Sequence, residues 1–168
     1  MDVRAALKSQ YHASLEALRL AIEQCPSNLW DDPADGAASY WRVAYHTLFF
    51  TDYYLRKDHE DLPVGPRHRH EAHILGPIPW EEGRLPALCE PYTPEDILEY
   101  WKMCDAMVDA TVDAMDLESA ESGFPWYAMS KFEHQLVNIR HIQHHAAALA
   151  TRLRRDAGIQ VKWVGKLD

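Results

Sequence analysis

From Ser130 to Ala157 the chain contains no proline and no glycine, and its apolar residues recur at spacings of three and four. Ser130-Lys131-Phe132-Glu133 has the form of a capping box, in which serine and glutamate satisfy each other's exposed amides. Gly158 is placed to cap the far end, where Arg152, Arg154 and Arg155 complement the negative pole of the helix dipole. The stretch predicts one helix about 40 Å long at about 1.5 Å of rise per residue. A rod of that length needs others to bury its apolar face.

Three further stretches supply them. Leu7, Tyr11, Leu15, Leu18 and Ile22 mark a first amphipathic helix from Asp2 to about Gln24, ended by Cys25-Pro26-Ser27-Asn28 and a loop through Asp31-Asp32-Pro33-Ala34-Asp35-Gly36. Ser39 is the expected N-cap of a second helix reaching about Arg56. Trp41, Ala44, Tyr45, Leu48, Asp52 and Leu55 form one face of it, and His46, Phe49, Phe50 and Tyr53 widen the apolar surface, so this helix is expected at the centre. Thr93-Pro94-Glu95-Asp96 starts a third helix running to about Asp116, with a seam of Ile97, Trp101, Cys104, Val108, Thr111 and Met115. Between the second and third helices, prolines and glycines from Pro63 to Pro91 break any periodicity and predict a long crossover loop, of the kind that covers a site. His68, His70 and His73 in that loop, beside Arg67 and Arg69, are expected to be solvated. The tail Ile159–Val164 alternates like a strand and is expected to pack as an extended arm. The whole predicts an all-α four-helix bundle in one domain over residues 1–168, a length and a 47 % hydrophobic content that suit one core.

Bundles build metal sites from inward-facing side chains on neighbouring helices. His141 and His145 lie one turn apart, about 40° around the last helix, and two imidazoles so placed converge on a divalent ion. The second helix offers one interior histidine, so His46, His141 and His145 are the expected ligands. Three neutral imidazoles leave positions open on the ion, the composition of a catalytic rather than a structural site. His134, about 20° to the other side of His141, and His144, rotated about 60° from it, are rivals for ligand positions, with an outer contact or surface exposure as the default. His12 and His59 are expected to be bonded to backbone or solvent, or exposed on a polar face, rather than to hold a metal.

Tyr40-Trp41-Arg42-Val43-Ala44-Tyr45-His46, together with His141-Ile142-Gln143-His144-His145, Leu149, Leu153 and Arg154-Arg155-Asp156-Ala157-Gly158, resembles the DinB-like (DinB/YfiT) superfamily over most of the chain. The resemblance implies an up-down-down-up bundle with a long crossover between helices two and three, a homodimer, and a divalent ion on three histidines, which by position are His46, His141 and His145. Its best-understood members are transferases that use a low-molecular-weight thiol. Many members continue the double histidine with Arg-Gly-Gln, where this chain has Ala146-Ala147-Ala148, so whatever those side chains recognise in a relative is missing here.

The expected activity is that of a metal-dependent enzyme acting on a small molecule, either a thiol-dependent S-transferase or a hydrolase, with zinc or nickel as the preferred ion. Catalytic residues other than the ligands are unassigned; Tyr45, Tyr53 and Trp80 are candidates to line the substrate pocket. Ile142 stands where a zincin helix has its general-base glutamate, which counts against a peptidase. The competing reading is a non-catalytic bundle that binds a ligand or partner. The net charge of -9 argues against a nucleic-acid partner, and so against a DNA-repair role, and gives no support to membrane-surface binding. No apolar run approaches the roughly 18 residues of a spanning helix, and Met1-Asp2-Val3-Arg4 lacks a signal-peptide layout, so a cytoplasmic protein is expected. Cys25, Cys89 and Cys104 lack paired spacing and are read as small buried hydrophobes rather than a disulfide framework.

Overall fold

The computed structural model describes residues 2–33, 38–65, 68–87 and 89–167. The expected loop through Ala34-Asp35-Gly36 and Arg67 of the crossover therefore lie outside the described residues. Helices are the only regular elements among those described: α1 Val3–Glu23, the single turn α2 Ser27–Trp30, α3 Tyr40–Leu55, α4 Pro94–Ala114 and α5 Lys131–Ala157. Sequence periodicity missed only α2, a four-residue turn too short to show a repeat.

The caps form largely as their chemistry dictates. Asp2 accepts from the Ala5 amide and opens α1. Thr93 and Asp96 form a reciprocal capping box at the start of α4. Ser130 accepts from the Glu133 amide at 3.2 Å. Gly158 takes the left-handed conformation at φ +69°, where a Cβ would be strained, and closes α5 on the Leu153 carbonyl. Ser39 precedes α3, yet its hydroxyl makes no cap bond, so that helix is held by packing rather than by its terminus.

α1 packs on α4 and α5, and α3 packs on the same two. Leu7, Tyr11, Leu15, Leu18 and Ile22 of α1 are all buried, and each such side chain stabilises the fold by about 1.5–3 kcal/mol. On α4 the buried line is Ile97, Cys104, Val108 and Val112; Trp101 stays half-exposed and donates its indole N–H to the Leu15 carbonyl at 2.8 Å. The expected seam thus drifts from Thr111 to Val112 in the last turns, because a straight helix does not hold a seven-residue repeat.

Thirteen of the sixteen residues of α3 are buried, which makes it the central rod. Its least covered stripe is Val43, His46 and Phe50. The crossover between α3 and α4 carries no helix among its described residues, but it is anchored. Tyr92 stacks on Tyr45 with ring centroids 4.5 Å apart. Glu71, buried at φ +59°, accepts from the Ala87 amide at 2.7 Å and pairs with Arg84, whose guanidinium holds that carboxyl below the usual range. The terminal segment runs without strand pairing, with Ile159, Val161 and Val164 against the core. Cys104 is buried, Cys25 and Cys89 are half-buried, and all three are free. Among the described residues no helix is long and apolar enough to cross a membrane.

Candidate metal centre

Burial of Ile142, Ala146 and Leu149 fixes the rotation of α5 about its axis. That rotation turns His141 and His145, one turn apart, toward the exposed stripe of α3. There they meet His46: one ring nitrogen from each of the three lies within 4.8 Å of the others. His46 Nε2 and His141 Nε2 face each other at 3.0 Å. The His145 ring centroid is 4.7 Å from that of His46 and 4.6 Å from that of His141. Phe50 walls the group, 4.8 Å from His46 and 5.8 Å from His141.

The protonation pattern suits a cation. His46 donates Nδ1–H to the His73 carbonyl at 2.6 Å, which leaves its Nε2 with a lone pair. Burial pushes the His46 imidazole down to about 4, outweighing that hydrogen bond, and pushes His141 and His145 down to about 3, with the neighbouring histidines adding to the effect. All three are neutral at pH 7. If His141 carries its proton on Nδ1, two lone pairs collide at 3.0 Å; if on Nε2, its buried Nδ1 has no partner. A divalent ion would accept the facing lone pairs and so remove the first of these costs; the three residues present fit a metal and could hold one.

The remaining sequence candidates are distributed elsewhere. His144 is exposed, with its ring 4.9 Å from that of His145, and lies outside the group. His134 is fully buried among Tyr54, Phe124 and Tyr127, at 4.8, 4.7 and 5.1 Å, and neither ring nitrogen has a hydrogen-bond partner among the described residues. His12 bridges Asp105 at 2.6 Å and Asp109 at 3.1 Å, tying α1 to α4. His59 bonds the Gly123 carbonyl at 3.3 Å. Tyr45 and Asp52 of α3 line a cavity of about 430 Å³ with Tyr100 and Met103 of α4, Tyr53 donates to the His59 carbonyl, and Trp80 is 71 % exposed.

Two loop histidines correct the reading of that segment as solvated. His73 stacks on Phe49 with centroids 4.1 Å apart, and His68 bonds the Tyr45 hydroxyl at 2.8 Å; only His70 is exposed. The partners that order them are on α3, far along the chain, and the proline-rich composition carries no trace of them. The role of the His73 carbonyl was illegible for the same reason.

Comparison with curated proteins finds no match, and comparison with solved structures finds none. The model of the DinB superfamily matches residues 10–149, a span that contains His46, His141 and His145. With most of its length covered by that match and the three histidines drawn together from two helices, the chain belongs to the DinB superfamily.

Proposed function

We propose that the protein is a metal-dependent enzyme that transfers a group to or from a low-molecular-weight thiol, with zinc or nickel on His46, His141 and His145. The observation that carries this reading is the donor set: three neutral imidazoles and, among the described residues, no Cys, Asp or Glu within the same 4.8 Å group. Three protein ligands leave room for an exogenous one, as catalytic sites require. A divalent ion there would supply Lewis acidity, lowering the pKa of a thiol that reaches it. A small thiol ionises readily under such a charge without a carboxylate base, which favours transfer over hydrolysis. The chain's own part is to keep the imidazoles unprotonated by burial, to fix the tautomer of His46 through the His73 carbonyl, and to exclude water on one side with Phe50.

Protein purified without a polyhistidine tag tests the proposal through elemental analysis and a transfer assay run with a panel of small thiols. Stoichiometric zinc or nickel, with a thiol-dependent activity that chelation removes and the metal restores, is the expected result. Metal-free protein without activity returns the bundle to a binding role, and an activity indifferent to chelation overturns the metal dependence. We extend the proposal to a homodimer, on the resemblance of the family, with a mass twice that of the chain expected by light scattering.

A further inference from the structure

We infer that Asn138 is the positioning residue for His141, accepting its Nδ1–H through one enclosed water. The inference rests on the metal reading above. Once Nε2 of His141 faces an ion, its proton must sit on Nδ1, which is buried and has no hydrogen-bond partner. A donor so placed needs an acceptor. Among the described residues, Asn138 Oδ1 is the one buried side-chain oxygen without a partner.

The placement agrees. Asn138 is fully buried and lies three residues before His141 on α5, where side chains three apart are neighbours and lean toward the N-terminus, so that the His141 ring lies over the turn that holds Asn138. The amide cannot be turned the other way without loss, because its NH2 group donates to the Thr51 carbonyl at 3.3 Å. His46 already has an outer acceptor in the His73 carbonyl. Asn138 gives His141 the same support from within its own helix.

Zinc affinity, measured by competition with a chelating dye, separates this role from a merely structural one. Asn138→Leu is expected to weaken zinc binding by about 10- to 100-fold, as loss of an outer partner does, while the melting temperature of the zinc-free protein holds or rises. Asn138→Asp, a stronger acceptor, is expected to bind zinc at least as tightly as the unaltered protein. In the zinc-loaded protein the His141 Nδ1–H should give a slowly exchanging imidazole proton signal that Asn138→Leu abolishes. Zinc binding and this signal unchanged in Asn138→Leu would overturn the assignment alone. If Asn138→Leu does not fold, Asn138→Asp decides: weaker zinc binding with an unshifted signal overturns it. Failure of the unaltered protein to bind zinc or nickel sinks the metal reading and this assignment together.

Discussion

His134 and His141 stand two turns apart on α5, and burial drives both imidazoles far below their ordinary pKa, to about 4 and about 3. Their surroundings differ in kind. His134 sits in a box of three aromatic rings, and among the described residues neither of its nitrogens has a hydrogen-bond partner. His141 points at the Nε2 of His46, whose other nitrogen is held by a carbonyl, with His145 closing the triangle. Desolvation is thus common to both and distinguishes neither. What separates a candidate ligand set from an isolated core histidine is convergence: several lone pairs aimed at one point cost free energy that a cation would recover, whereas a single ring enclosed by aromatic side chains gains nothing from an ion.

The sharpest way to break this comparison is to remove one ring at a time. His46→Ala or His141→Ala should lose at least about 100-fold in zinc or nickel affinity, and His134→Leu should lose none, by calorimetric titration. With free metal at about 100 times its dissociation constant, the unaltered protein and His134→Leu should both gain about 2.7 kcal/mol of stability, and His46→Ala no more than about 0.4 kcal/mol. Equal metal loss in His46→Ala and His134→Leu would erase the distinction drawn between the two regions.

Acid should affect both regions alike in the metal-free protein. A histidine whose folded pKa is depressed binds its proton more readily in the unfolded chain. Stability is therefore full above about 6.5, the unfolded value, and is lost as pH falls toward about 3–4. His12 has the opposite sign. Burial alone would lower it, but Asp105 and Asp109 together raise it, so its contribution is present below about 6.5 and disappears as pH rises through its raised value. Melting temperature against pH, with His12→Gln as the control, separates the two.

A smaller effect sharpens the view of His134 as a cost without a return. His134→Leu removes two unpaired buried nitrogens and should raise stability by about 1 kcal/mol in urea unfolding; a loss of similar size would mean that the ring has a partner. The smallest effect lies in the crossover. Arg84→Ala frees Glu71 and loosens the turn that presents the His73 carbonyl, and should weaken metal binding by less than about 10-fold.

Much of the molecule was legible in the chain itself. The spacing of Leu7 through Ile22, the capping residues Thr93, Asp96 and Ser130, and Gly158 at the end of α5 are local signals, and local chemistry realised them. His141 and His145 could be paired on paper because one helical turn fixes their relation whatever the rest of the protein does. The aromatic enclosure of His134 and the anchoring of His68 and His73 left no such mark, since each depends on residues distant in sequence.

By itself, then, the sequence determined the rods, their ends and the two imidazoles that share a face, all consequences of backbone periodicity and of short-range hydrogen bonding. Only the tertiary structure decided that α5 turns this face toward His46, that the crossover lends a carbonyl to hold that ring, and that His134 is shut away from both. The reason is physical: helix rotation and loop placement are set by how side chains from separate segments fill one core, and no stretch of chain carries that information alone.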